Sequence, residues 1–324
     1  MKLVFYPAKY GRMVERAIAA FPEIDMVPVH DPARLAENIK GAEVLVTSNR
    51  IYLPEVARAV RDNADALRWM HFTTSGIDNA LKNGLPDGIP VTNSSGMHAR
   101  CVAAHAMTLL LSVTRRLADC AAARPRRDWV RDAVHGDLST LENKTMALIG
   151  LGAIGQDIAR KAKAFDMRVI GVSRAGEAPH VDELRPRERL HETLGEADVV
   201  MVATGYSPET HHIIDAAALA AMKPSAILVN IGRGALVDEP ALIAALKDGR
   251  IRAAGIDVTE VEPLSADSPL WDLSNLVLTP HIAGAGNDNN DVLFDILSRN
   301  LKLYLAKQPF ARVVAGPNLQ GAAS

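Results

Sequence analysis

Short apolar runs alternate with segments of helical spacing along most of the chain. In the first hundred residues, runs at 2–6, 25–29, 44–48, 67–72 and 90–93 predict five strands, with helical patterns such as 12–20 and 54–64 between them. This rhythm predicts a parallel sheet covered by helices. Five strands suit a flavodoxin-like unit. Residues 99–118 come next, with Val102, Ala103, Ala106, Met107, Leu109, Leu110, Val113 and Leu117 on one broad helical stripe. They predict a single long helix. Residues 124–144 are polar and charged, with Pro125, Gly136 and an isolated Trp129. So long a segment with so few apolar residues is unusual inside a compact domain. It predicts an arm that packs on something else, most simply a second subunit. From Thr145 the rhythm restarts, with runs at 146–149, 167–172, 198–203, 226–231, 251–258 and 276–279. Six strands with crossovers is the count of a doubly wound dinucleotide fold. Residues 288–305 predict a final amphipathic helix.

The fold class that follows is α/β: two Rossmann-like or flavodoxin-like domains, doubly wound parallel sheets, with a cleft between them. A length of 324 residues agrees with two domains. With 48% hydrophobic residues there is ample apolar surface to bury, which excludes global disorder. A net charge of −2 gives no positive field to recruit nucleic acid or anionic lipid. The longest uncharged stretches, 101–114 and 273–287, fall short of a membrane span. The N-terminal apolar run is too short for a signal peptide. Two cysteines make no disulfide framework; on one continuous helix Cys101 and Cys120 would stand roughly 28 Å apart. A reducing, cytoplasmic location is expected.

Gly150-Leu151-Gly152-Ala153-Ile154-Gly155 directly follows one predicted strand and precedes a helical pattern at 156–165. That context turns a weak glycine pattern into a dinucleotide-binding signal. Gly150 permits the tight turn, Gly152 lets backbone approach a pyrophosphate, and Gly155 lets helix and strand pack closely. The helix N-terminus, through Ala153 and Ile154, offers N–H groups to phosphate. The next strand ends in Ser173-Arg174 rather than in a carboxylate. An arginine there can pair with a 2′-phosphate, so NADP(H) is expected over NAD(H), with NAD possible.

Later strands each end in a polar candidate. Arg233 lies between Gly232 and Gly234, Asp257 and Glu262 close and follow the next run, and His281 follows Thr279-Pro280. In open parallel sheets ligands sit beyond the carboxyl ends of the strands. A guanidinium, a carboxylate and an imidazole thus arrive on the same edge as the glycine-rich turn, a constellation that points to catalysis. No metal is expected.

With these residues in hand, the sequence resembles the D-isomer-specific 2-hydroxyacid dehydrogenases. The resemblance rests on Gly150–Gly155, Asn230-Ile231-Gly232-Arg233-Gly234-Ala235-Leu236-Val237-Asp238, Gly255-Ile256-Asp257-Val258, Glu262-Pro263-Leu264, Ser268-Pro269-Leu270-Trp271 and Leu278-Thr279-Pro280-His281, together with Thr74-Ser75-Gly76-Ile77-Asp78 and Asn93-Ser94-Ser95-Gly96. It implies a discontinuous substrate-binding domain, 1–98 plus 287–324, and an NAD(P)-binding domain, 99–286. Hinges are expected near 96–100 and 284–288. A homodimer is implied, with the long helix and arm as its interface.

The resemblance also implies the chemistry, reduction of a small 2-oxo acid of the glyoxylate or hydroxypyruvate type to a D-2-hydroxy acid. Arg233 would bind the carboxylate and 2-oxo oxygen, His281 would give that oxygen its proton, and Glu262 would hold the other ring nitrogen. An imidazole, whose ordinary pKa is about 6.5, suits that exchange. Backbone N–H groups of Ser75 and Gly76 would take the carboxylate's other side. Asp257 would contact the nicotinamide carboxamide, and Ser173, Ala203, Thr204, Ile231, Gly232, Ala283 and Gly284 would line the cofactor's place. Departures from the family pattern are Ala104 before His105, the loop 203–208 and the polar stretch 286–290. Two rival readings stay open at this stage. One is a non-catalytic, corepressor-like NAD(P) sensor; the other is a same-fold dehydrogenase of another substrate.

Overall fold

In the computed structural model, residues 1–6, 11–173, 178–286 and 289–317 are described, without the side chains of Met13, Asn289 and Asn290. Arg174 and the 287–288 part of the second expected hinge therefore lie outside the described residues. The chain divides into two compact units, Met1–His98 with Gly286–Ser324, and Ala99–Ala285.

The first unit holds β1 (Lys2–Phe5), β2 (Asp25–Pro28), β3 (Val44–Thr47), β4 (Trp69–Phe72) and β5 (Val91–Asn93). They form one parallel sheet in the order β2-β1-β3-β4-β5. That is the flavodoxin-like order. Alternating side chains feed opposite faces, as the two-residue period of a strand requires. Val4, Leu45, Met70 and Phe72 enter one core cluster, while Leu3, Phe5, Val44, Val46 and Trp69 enter the other. The helix Asn289–Leu305 closes the second face with Leu293, Leu297 and Leu301, one helical row of fully buried leucines.

The second unit holds β6 (Thr145–Ile149), β7 (Arg168–Val172), β8 (Glu183–Arg185), β9 (Val199–Val202), β10 (Ile227–Asn230), β11 (Ala253–Ile256) and β12 (Leu276–Leu278). All pair in parallel, in the order β12-β11-β10-β9-β6-β7-β8. The order reverses between β6 and β9, which is where a doubly wound sheet opens its ligand crevice. One face packs on the helix Ala99–Thr114 through Val102, Ala106, Met107, Leu109, Leu110 and Val113. Gly255 on β11 lets that helix come close, since a Cβ there would stand 3.0 Å from the Leu109 Cβ.

Three expectations need correction. The sheet has seven strands, because β8, Glu-Leu-Arg, is a short polar edge strand with no apolar run to mark it. Its Arg185 is only 4% exposed and is held by Glu183 and Glu196. The long helix is not continuous: Arg116 adopts a left-handed conformation, φ 53°, and a second helix runs over Leu117–Ala123. Arg116 is fixed there by Asp119, at 2.7 Å. The apolar spacing runs straight through this break, yet Leu117 ends up 52% exposed. The cysteine separation reckoned along one helix therefore does not apply; neither thiol forms a disulfide. Third, the helix after the glycine turn begins at Ala153, inside the motif, not at Gln156.

The stretch 124–144 is built of short turns, with helical turns at Arg124–Arg126, Arg131–Val134 and His135–Asp137. Its later part is pinned to its own unit. Ser139 N–H donates to Thr114 O, Arg252 reaches Ser139 Oγ at 3.0 Å and the Asp137 carbonyl, and Leu141 is buried. Trp129 stays 89% exposed.

Candidate active site

The glycine-rich turn spans the point where the sheet order reverses. Gly150 follows β6 with φ 97°, and its N–H donates to Val172 O on β7. A Cβ on Gly150 would lie 2.7 Å from the backbone of Thr204, beyond β9, so only glycine lets these two strand ends meet. A Cβ on Gly155 would lie 2.1 Å from Gly150 O, so helix and strand could not approach as they do. Gly152 differs: nothing stands within 4 Å of where its Cβ would be. It is the N-terminal boundary residue of the helix Ala153–Lys163, and no side chain caps that helix. Open space before uncapped N–H groups at a positive dipole end fits a pyrophosphate. Ser173 follows β7, its N–H donating to Arg185 O. Ala203 and Ile231 continue the hydrogen-bond ladder, their N–H groups donating to Ile149 O and Val202 O.

Arg233 follows β10. The buried Asn230 holds its loop from inside: Asn230 Nδ2 donates to Arg233 O at 2.9 Å, and Asn230 Oδ1 accepts the Gly232 N–H at 3.0 Å. Glycine is needed on both sides of the arginine. A Cβ on Gly232 would meet Thr204 O at 2.9 Å, and one on Gly234 would meet Thr259 O at 2.0 Å. The Arg233 backbone is extended, and its Nη1 donates to Gly232 O at 2.8 Å.

His281 follows β12. Its Nδ1 stands 2.7 Å from Glu262 Oε2, and Glu262 Oε1 accepts the Thr259 N–H at 3.3 Å. Both side chains are partly open to solvent, at 48% and 37%. With Nδ1 facing Glu262, Nε2 is the nitrogen left for proton exchange. The His281 backbone is left-handed, φ 52°, a conformation a non-glycine residue holds only with support. The support comes from Asp257. Asp257 O accepts the His281 N–H at 2.8 Å, Oδ1 accepts the Ile282 N–H at 2.9 Å, and Oδ2 accepts the Ala283 N–H at 2.8 Å. Thr279 Oγ1 donates to Asp257 Oδ1 at 2.6 Å, and His105 Nε2 lies 2.8 Å from that hydroxyl and 3.4 Å from the carboxylate. Asp257 is 1% exposed. Burial alone would raise its pKa, but the hydrogen bonds from His105, Thr279, Ala283 and Ile282 outweigh burial and hold it below the ordinary 3.8. Ala283 is buried, and Gly284 follows it in the same turn.

Because the folded-state pKa of Asp257 is depressed, its charged form stabilises the fold above the unfolded-state value, and that contribution is lost as pH falls through the folded value. Asp257→Asn places a donor where a carboxylate oxygen now accepts a backbone N–H or the Thr279 hydroxyl. It is expected to cost about 1–3 kcal/mol at pH 7. Denaturant titrations of both proteins from pH 7 to pH 2 should show the gap narrowing in acid; a gap that is flat with pH refutes the account.

Of the residues singled out in the sequence, the structure brings Gly150 against Ala203 and Thr204, Gly232 against Thr204, Gly234 against Thr259, Glu262 to His281, and Asp257 to the 281–283 turn. Ser75 and Gly76 belong to the other unit. There Ser75 Oγ donates to Ser94 O, and among the described residues no protein acceptor takes the N–H of Ser75 or Gly76. Sequence reading missed the supporting set, Asn230, Thr279 and His105. Asn230 and Thr279 stand inside quoted motifs and gave that much signal; His105 was marked only by Ala104 before it, and its partners are remote in sequence.

A doubly wound sheet with this turn and these three strand ends defines a nicotinamide-dependent oxidoreductase. Residues 107–283 match the family model described as D-isomer specific 2-hydroxyacid dehydrogenase, NAD binding domain. The chain is 37% identical over 274 residues, 82% of its length and 81% of the relative's, to a glyoxylate reductase of Thermococcus gammatolerans. Among solved structures it is similar to a D-isomer specific 2-hydroxyacid dehydrogenase family protein of Aeromonas salmonicida, with TM-score 0.84, 29% identity and coverage of 97% and 98% of the two chains. It is similar too to an NADPH-dependent glyoxylate/hydroxypyruvate reductase of Sinorhizobium meliloti, with TM-score 0.78, 27% identity and 97% of each chain covered. The chain belongs to the D-isomer specific 2-hydroxyacid dehydrogenase family, and is an NAD(P)-dependent oxidoreductase acting on CH–OH groups. Among the described residues no helix is long and apolar enough to cross a membrane.

Proposed function

We propose that this protein reduces small 2-oxo acids of the glyoxylate or hydroxypyruvate type to D-2-hydroxy acids, with NADPH preferred over NADH. The observation that carries the reading is the 2.7 Å pairing of His281 with Glu262 at the same sheet edge that carries Arg233 on its glycine-flanked loop. Arg233 binds the substrate carboxylate and the 2-oxo oxygen by charge-assisted hydrogen bonds, and its fixed charge stabilises the developing alkoxide. When bound, the nicotinamide supplies the hydride that reduces C2. His281 Nε2 donates the proton that the carbonyl oxygen takes and recovers it in the oxidative direction. Glu262 orients the ring through its contact with Nδ1. The N–H groups of Ser75 and Gly76 receive the other side of the carboxylate. Gly150, Gly152, Ala153, Ile154, Gly155, Ala203, Thr204, Ile231 and Gly232 hold the dinucleotide, with Asp257, Ala283 and Gly284 shaping the wall beside His281. The glyoxylate reductase and glyoxylate/hydroxypyruvate reductase names of relatives support the substrate class. A cytoplasmic homodimer completes the proposal; the exposed Leu117 and Trp129 support such an interface.

The cofactor preference rests on Ser173-Arg174, where no carboxylate repels a 2′-phosphate and an arginine can pair with one. Absorbance at the reduced-nicotinamide band, across a panel of 2-oxo acids with NADPH and NADH in parallel, tests substrate and cofactor together. A higher kcat/KM with NADPH is expected, and Arg174→Ala should raise the KM for NADPH by about tenfold while leaving NADH within about twofold. A higher kcat/KM with NADH overturns the preference, and no turnover of any 2-oxo acid overturns the function.

A further inference from the structure

We infer that His71 is a positioning residue for substrate binding, holding the 73–76 loop from beneath through a directional chain of side-chain hydrogen bonds. The inference rests on the proposed function, in which the N–H groups of Ser75 and Gly76 receive a substrate carboxylate. His71 lies on β4, fully buried, and no step of the chemistry above uses it. Trp69 Nε1 donates to Thr92 Oγ1 at 2.9 Å; His71 Nδ1 stands 2.8 Å from Thr92 Oγ1, and His71 Nε2 stands 3.1 Å from Ser94 Oγ. Ser94 Oγ donates its only proton to Phe72 O, at 3.2 Å.

Giving every donor in this set an acceptor selects one set of directions. Since the Ser94 hydroxyl spends its proton on Phe72 O, it accepts from His71, so the imidazole carries its proton on Nε2. His71 Nδ1 is then an acceptor, and the Thr92 hydroxyl donates to it while accepting from Trp69. The chain runs one way, Trp69 to Thr92 to His71 to Ser94 to Phe72 O, with each donor matched. It closes only with a neutral ring, in keeping with burial, which pushes the His71 pKa down to about 3. A second proton on the imidazole would leave two donors facing each other at Thr92.

Ser94, whose hydroxyl the chain holds, meets the underside of the loop through its backbone. The Ser94 N–H is shared between Phe72 O at 3.0 Å and Thr74 O at 3.1 Å, and Ser94 O accepts Ser75 Oγ at 3.2 Å. Asn93 Nδ2 donates to Ser75 O, and Thr74 Oγ1 donates to Gly76 O at 2.9 Å. The Thr74 and Ser75 carbonyls and the Ser75 hydroxyl thus face β5 and its extension, Gly76 O is taken by Thr74 Oγ1, and the Ser75 and Gly76 N–H groups are left without a protein acceptor among the described residues. An apolar residue at 71 would fill the same space but orphan the Thr92 hydroxyl and remove the donor to Ser94.

The test is steady-state kinetics with glyoxylate or hydroxypyruvate, inhibition by oxamate as a 2-oxo acid analogue, and fluorescence titration with NADPH. In His71→Leu, Thr92→Val and Ser94→Ala, the KM and the oxamate Ki should rise together by about five- to twentyfold, with kcat and the NADPH Kd within about threefold. His71→Gln, which can still donate and accept, should recover part of the loss. If His71→Leu does not fold, Thr92→Val and Ser94→Ala, each lacking one hydroxyl, decide the matter. Folded variants that keep the wild-type KM and Ki overturn the inference. Wild-type protein without 2-oxo acid turnover, or an Arg233→Ala variant with unchanged KM, overturns the underlying reading instead, so the two failures are told apart.

Discussion

His281→Asn is expected to lower kcat for the proposed 2-oxo acid reduction by about 10²- to 10⁴-fold, the usual worth of a positioned general acid. Asparagine is the informative replacement because residue 281 has φ 52°. Among non-glycine residues asparagine tolerates this left-handed geometry well, whereas alanine adds backbone strain to the loss of the imidazole. His281→Ala should therefore lose as much activity and also some stability. The turn itself is held by Asp257, which accepts the N–H groups of residues 281, 282 and 283 and not the imidazole, so both variants should fold. Glu262→Gln keeps an oxygen for hydrogen bonding at the 2.7 Å contact but loses its charge. Its kcat should fall less than that of His281→Asn, because the proton donor remains. In all three the NADPH Kd should stay within about threefold, since the glycine turn is untouched. Stopped-flow reduction at saturating NADPH and glyoxylate measures the step; a His281→Asn protein with wild-type kcat ends the assignment.

Much of this architecture is written in the chain in a form that elementary pattern reading recovers. Parallel strands buried on both faces must be continuous apolar runs, and 146–149, 199–202 and 227–229 are such runs. The candidate site was legible for a related reason. Ligands of doubly wound sheets bind beyond the strand ends, so Arg233, Glu262 and His281 could be picked out by asking which polar residues follow strands. Less was legible where a polar contact replaces apolar burial. β8 is a strand because it pairs with β7 and its Arg185 is held by two glutamates, not because of any hydrophobic run. The break at Arg116 has no proline or glycine to announce it, and the apolar period continues across it. Nor could the sequence reveal that Asp257 spends both carboxylate oxygens inside the protein, because its partners come from the helix at 105, the strand end at 279 and the turn at 282–283.

Arg233→Ala is the other large effect expected. A guanidinium that meets both the carboxylate and the 2-oxo oxygen makes two charge-assisted hydrogen bonds, each worth about 1.5–3 kcal/mol. Their sum, at about 1.4 kcal/mol per decade, predicts a loss in kcat/KM of about 10²- to 10⁴-fold. Because one bond is to the group whose charge grows on reduction, the loss should divide between KM and kcat and not fall on KM alone. Arg233→Lys keeps the charge but cannot fork, so it should recover only part of the loss. The loop should survive both changes. Asn230 holds it through Gly232 N–H and the residue 233 carbonyl, atoms that substitution at 233 leaves in place. Added guanidinium ion should then restore part of the Arg233→Ala activity without altering the NADPH Kd. Such rescue separates a missing cation from a collapsed loop. Wild-type kcat/KM in Arg233→Ala would remove the guanidinium from the reaction altogether.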